Sequence, residues 1–207
     1  RTVVLEGERQ PPKVMLVLDR SGSMNTKATD GEDWVCCEPR NANCDRFVAN
    51  PECKWEVLKD LLKGPGRFLE ATQQSARHGL VLFPNRDQPL VESCRPGVVD
   101  VPIAATPGKA ATDAILAFLD EEKSIPRGGT PTAKTLDAVL ANVPFLTPEP
   151  ATARYVVLIT DGLPNCNPKP PPPCECTVAL SPGQVCGATT CLDKQAGRSG
   201  RVRDLGT

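Results

Sequence analysis

Three uninterrupted apolar runs punctuate the chain, and each ends abruptly at a polar residue or a proline. Val14-Met15-Leu16-Val17-Leu18 stops at Asp19, Leu80-Val81-Leu82-Phe83 stops at Pro84, and Tyr155-Val156-Val157-Leu158-Ile159-Thr160 stops at Asp161. Runs without polar alternation predict strands buried on both faces, as in a parallel sheet. Residues 97–103 alternate instead and carry Pro102, which predicts an edge strand.

Between these runs the apolar spacing switches to the helical period. Trp55, Leu58, Leu61 and Leu62 share one predicted face, and Gly64-Pro65-Gly66 interrupts that helix before Phe68 and Leu69. Residues 109–123 place Ala111, Ile115, Phe118 and Leu119 on one stripe. A third helix over 131–143 has Pro131 in its first turn and turns Leu136, Val139 and Leu140 inward. Strands alternating with helices predict an α/β fold: a doubly wound, mostly parallel sheet flanked by helices.

Two blocks break the pattern. Residues 25–53 hold Cys36, Cys37, Cys44 and Cys53, and residues 164–191 hold Cys166, Cys174, Cys176, Cys186 and Cys191 plus four consecutive prolines. Both read as cysteine-rich insertions into one domain spanning 1–207, with a core over about 13–163. Loops this long rarely lack structure of their own, and disulfides can fix what a core does not. Ten cysteines beside a single histidine form a disulfide inventory more than a zinc inventory. Cys174-Glu175-Cys176 and Cys36-Cys37 also lack zinc-ribbon spacing. The expected setting is an oxidising compartment: extracellular, cell-surface or periplasmic. Five cysteines in the second block require at least one bridge leaving it, to Cys94 or to the first block.

Charge narrows the function classes. With 24 basic and 25 acidic residues the net charge is −1, which argues against nucleic acid as a partner. No window approaches the roughly 18 consecutive apolar residues of a membrane span. The chain starts at Arg1 without a signal peptide, as a processed chain or excised fragment would.

The chemistry concentrates in Asp19-Arg20-Ser21-Gly22-Ser23, directly after the first run. Asp19, Ser21 and Ser23 alternate, so their oxygens can converge on one point if the loop turns at Gly22. One carboxylate and two hydroxyls make a hard site for Mg²⁺, Mn²⁺ or Ca²⁺. Gly128-Gly129-Thr130 precedes the third helix and Thr160-Asp161-Gly162 ends the last run. If the first and last strands are parallel neighbours, Asp19 and Asp161 emerge at the same carboxyl edge, where open α/β folds bind ligands. Asp19, Ser21, Ser23, Thr130 and Asp161 are therefore the candidate metal ligands. Singly, an Asp-Gly after a strand is a turn and a Ser/Gly stretch is a loop; the combination carries the argument. His78, the single histidine, reads as a satisfied or solvated surface side chain.

D-x-S-x-S, a Gly-Gly-Thr helix start and a T-D-G turn, in that order, resemble the metal-ion-dependent adhesion site of von Willebrand factor type A domains. The resemblance runs from about Lys13 to Gly162 and covers neither cysteine block. It implies a Rossmann-like fold, a divalent cation, Mg²⁺ foremost, and a partner protein or matrix ligand that supplies an Asp or Glu as the last ligand. It leaves Arg20 variable, implying a solvent-facing side chain. Family domains continue past T-D-G with further helix–strand pairs, so this chain reads as incomplete at its carboxyl end, with 155–160 an exposed edge. The expected function is metal-dependent adhesion, without catalysis. Two alternatives stand beside it: a disulfide-stabilised structural domain with a vestigial metal site, and a metal-dependent hydrolase using Asp19 and Asp161. Against the hydrolase, no motif supplies a general base, and no G-x-S-x-G elbow is present.

Overall fold

The computed structural model describes residues 10–40, 46–85, 94–121, 124–142 and 152–162, together with Pro164, Cys166 and the pairs 175–176 and 191–192. Strand β1 (Gln10–Asp19) is followed by a 3-10 turn (Gly22–Asn25) and two short strands, β2 (Cys37–Glu38) and β3 (Arg46–Phe47). Helices α1 (Lys54–Leu62) and α2 (Phe68–Thr72) lead into β4 (Arg77–Phe83) and β5 (Val98–Val101). Helices α3 (Lys109–Leu119) and α4 (Thr132–Asn142) precede β6 (Thr152–Ile159); β7 (Glu175–Cys176) and β8 (Cys191–Leu192) form a separate pair.

The main sheet runs β5-β4-β1-β6. β1 pairs in parallel with β4 on one side and with β6 on the other, and β5 joins antiparallel at the edge. This is an α/β arrangement with a mixed, mostly parallel four-stranded sheet. The continuous apolar run of β1 follows from its central place, where both faces are covered. Val14, Leu16 and Leu18 meet Leu80, Leu82, Trp55, Leu58, Leu62, Leu69, Ile115 and Phe118 on one face. Met15 and Val17 meet Val81, Phe83 and Val139 on the other. Alternate residues of one strand thus feed two cores.

The helix break falls where the glycines and proline require it. α1 ends at Leu62, and Gly64 and Gly66 adopt φ of 112° and 71°, a region open to glycine and strained for other residues. Leu61 departs from the expected inward stripe: it is exposed, while Trp55, Leu58 and Leu62 are buried. Cys36 and Cys53 are themselves part of the core. Cys36–Cys53 closes the first block, and Cys94–Cys166 joins the segment before β5 to the segment after β6. The second block does send a bridge outside itself, to Cys94. The expected helix limit at Val143 and most of block 164–191 lie outside the described residues.

β6 is the outer strand on its side of the sheet, and Tyr155 and Leu158 are exposed along it. The expected exposed apolar edge at 155–160 holds for these two side chains, whereas Val156, Val157 and Ile159 are half-buried against the two cores. Among the described residues no helix is long and apolar enough to cross a membrane.

Candidate functional site

Chain order and sheet order reverse at β1. β4 lies on one flank and β6 on the other, so β1 ends in the crevice between two oppositely placed connections. Leu18 pairs with Ile159, which brings the next residues, Asp19 and Thr160, to the same edge. The Thr160 hydroxyl donates to Asp19 Oδ2 at 2.6 Å, and the Ser21 amide donates to Asp19 Oδ1 at 2.7 Å. Both carboxylate oxygens of Asp19 are thus held by hydrogen bonds.

The hydroxyls continue the chain of contacts. Ser21 Oγ lies 3.0 Å from Ser23 Oγ, and Ser23 donates to Asp161 Oδ1 at 2.8 Å. Asp19, Ser21, Ser23 and Asp161 are thereby brought together around one spot. The segment that leads to Thr130 is tied to this turn by hydrogen bonds to its backbone. Gly22 donates its amide to the Gly128 carbonyl at 2.9 Å, and Arg127 donates its amide to the Arg20 carbonyl at 2.7 Å. Asn25 adds a side-chain bond to the Pro126 carbonyl at 2.9 Å. Gly128 has φ of 85°, which lets the loop turn its carbonyl toward Gly22. Thr130 itself is buried, two residues beyond that carbonyl.

Burial dominates the electrostatics of Asp19. Its carboxyl is fully enclosed and is pushed up to about 6, with the charge of Asp161 adding a smaller push; hydrogen bonds from Thr160 and Ser21 oppose the rise. A carboxylate in such a place is unfavourable without a cation. Among the described residues no cluster of three or more His, Cys, Asp and Glu stands ready for a metal. An ion here would rest on two carboxylates and on hydroxyls. The donors present fit a hard cation. The Ser21–Ser23 and Ser23–Asp161 oxygen separations of 3.0 and 2.8 Å approach the edge of an octahedron, about 3 Å for Mg²⁺–oxygen bonds of roughly 2.1 Å.

Two residues absent from the sequence-derived set take part. Thr160 belongs to the T-D-G turn but carries its own bond to Asp19. Lys54 donates from Nζ to Asp161 Oδ2 at 2.6 Å, an ion pair with both side chains largely buried. The spacing of 107 residues hides that pair from any local motif. The first cysteine block also covers the loop. A Cβ on Gly22 would sit 3.8 Å from the Trp34 ring.

Two expectations are corrected. Arg20 is buried, not solvent-facing, because the end of β4 offers it carbonyl acceptors: its amide donates to Phe83 O and its Nε to Pro84 O at 2.9 Å. His78 is fully buried within β4, where Nε2 contacts the Thr72 hydroxyl at 2.9 Å; desolvation holds its pKa below the usual value. It lies at the start of β4, whereas Phe83, at the other end, pairs with Asp19.

The chain matches no protein-family model, no curated protein and no solved structure.

Proposed function

We propose that this chain is a divalent-metal-dependent binding module of the von Willebrand factor A type, acting outside the reducing cytosol. The carrying observation is the hydrogen-bonded run Asp19–Ser21–Ser23–Asp161 at the carboxyl edge of adjacent parallel strands. Asp19, Ser21, Ser23, Thr130 and Asp161 are the residues that would hold the ion, with Mg²⁺ or Mn²⁺ preferred over the larger Ca²⁺. Bound there, the ion would offer a coordination position to an Asp or Glu of a protein or matrix partner. The chain's own part is preorganisation. Thr160 and the Ser21 amide orient Asp19, Gly22 anchors the loop that carries Thr130, and Trp34 lies beside the turn at Gly22. Cys36–Cys53 and Cys94–Cys166 support an oxidising setting.

A purely structural role is the second reading. The Lys54–Asp161 ion pair favours it, because an internal ammonium already neutralises one carboxylate. Hydrolysis is disfavoured: the single histidine sits at the far end of β4, bonded to Thr72. An array of acidic peptides, each paired with its Asn or Gln counterpart, separates the readings when probed with labelled chain in Mg²⁺ or EDTA. Adhesion predicts capture that needs both the carboxylate and Mg²⁺. Capture indifferent to EDTA contradicts it.

A further inference from the structure

Lys54 is the first residue of α1, and its position is fixed from several directions. Its amide donates to the Thr26 carbonyl at 3.0 Å, and Ala28 donates to the Glu52 carbonyl at 2.8 Å. Lys27 and Cys53 form a β-bridge, and Cys53 is locked to Cys36 by a disulfide. The first cysteine block therefore clamps the start of α1 against the turn that follows β1. From there the Lys54 side chain runs past Gly31, where an added Cβ would sit 3.3 Å from Nζ, and ends on Asp161. Gly31 has φ of 73°, so a larger residue would be strained there and would crowd the ammonium.

This placement alters the charge of the candidate site. Asp19 and Asp161 bring two negative charges when ionised, and Lys54 returns one positive charge. With a divalent cation the pair of carboxylates alone would sum to zero; with Lys54 present the sum is +1. We propose that Lys54 makes cation binding conditional on an acidic ligand: it weakens the site for a bare divalent cation and strengthens it once a carboxylate is present. This rests on the metal-binding reading above. Lys54 competes with the cation for the charge of Asp161, and the surplus it leaves is neutralised by the incoming carboxylate. By linkage, the factor by which a carboxylate raises cation affinity equals the factor by which the cation raises carboxylate affinity. The first cysteine block thereby becomes part of ligand selection, since it holds the lysine in place.

The test is calorimetric titration of Mn²⁺ into the EDTA-stripped full chain, in sodium acetate or in sodium chloride of equal ionic strength. Wild type, Lys54→Gln and Lys54→Arg are compared. The expected result is tighter Mn²⁺ binding by wild type in acetate than in chloride. Lys54→Gln should bind Mn²⁺ on the order of tenfold more tightly in chloride, the effect of removing one nearby like charge, and lose most of the acetate effect. Lys54→Arg keeps the charge and should retain the wild-type response to acetate. Wild type that binds Mn²⁺ equally in both salts overturns the inference, and this arm needs no substitution. Equal Mn²⁺ affinity of Lys54→Gln and wild type in chloride overturns it as well. Failure of all three proteins to bind Mn²⁺ in either salt overturns the metal reading and this inference with it.

Discussion

Thr160 donates its hydroxyl to Asp19 Oδ2 at 2.6 Å, stitching the end of β6 to the end of β1 across 141 residues of sequence. The bond keeps a buried carboxylate from rising further in pKa and fixes the direction of its second oxygen. Thr160→Ala should destabilise the chain by about 2 kcal/mol, in the range for a hydrogen bond to a charged group. It should also weaken divalent-cation affinity, while Thr160→Ser keeps both near wild type. Denaturant melts and cation titrations of the two variants check this; equal behaviour of Ala and Ser would remove Thr160 from the site.

Asp19 sets a conflict between stability and binding. Its folded-state pKa of about 6 lies above the ordinary 3.8, so the cation-free folded chain binds the proton more tightly than the unfolded chain does. Its contribution to stability therefore falls as pH rises from 3.8 through 6. Above pH 6 the ionised, buried carboxylate costs about 3 kcal/mol. His78 works in the opposite direction. Its pKa is lowered by burial, so as pH falls through its ordinary value of 6.5 the unfolded chain takes up the proton first and stability drops. The two effects partly cancel in wild type. Comparison with Asp19→Asn isolates the carboxylate: in EDTA the variant should be more stable than wild type at pH 7.5, with the gap closing toward pH 4. A gap independent of pH would contradict the assignment.

Much of this arrangement is legible in the sequence, because it follows from local pattern. The runs ending at Asp19 and Asp161 have no polar alternation, and such strands belong inside parallel sheets; their adjacency then brings both carboxylates to one edge. The break at Gly64-Pro65-Gly66 is equally readable. Lys54 is not. It directly follows a cysteine block with no periodicity, and its reach to Asp161 depends on the Cys36–Cys53 disulfide and on the path of α1. Arg20 misleads for a related reason. Its neighbours Asp19 and Ser21 face the site, but an acceptor of its side chain, the Pro84 carbonyl just past β4, lies 64 residues away. Leu61 shows the limit of a helical stripe: it is exposed while Trp55, Leu58 and Leu62 on the same helix are buried.

Gly97 is a packing position without spare room. A Cβ there would lie 2.6 Å from the Leu82 carbonyl oxygen and 2.8 Å from Val81 Cγ1. Its amide also donates to the Thr135 hydroxyl at 2.9 Å, tying α4 to the sheet. Gly97→Ala should cost about 1–3 kcal/mol, the usual penalty for overpacking. A melt within experimental error of wild type would contradict the tight approach.

The two disulfides seen among the described residues should differ in weight. Cys94–Cys166 spans 72 residues and Cys36–Cys53 spans 17. In the chain-entropy account the longer loop stabilises by about 4 kcal/mol and the shorter by about 3. Paired Cys→Ala variants measured in denaturant should follow that order, with Cys94→Ala/Cys166→Ala the weaker protein. Loss of less than about 1 kcal/mol in that variant would show that the long bridge does not hold the sheet edge.

The central claim is that the oxygens of Asp19, Ser21, Ser23, Thr130 and Asp161 bind one divalent cation. Calorimetric titration of Mg²⁺, Mn²⁺ and Ca²⁺ into EDTA-stripped chain tests it directly, with Asp19→Ala as the control. The account predicts one site per chain, Mg²⁺ or Mn²⁺ ahead of Ca²⁺, and no binding in the variant. A folded wild-type chain that takes up none of the three ions would contradict it and leave a disulfide-fixed structural domain.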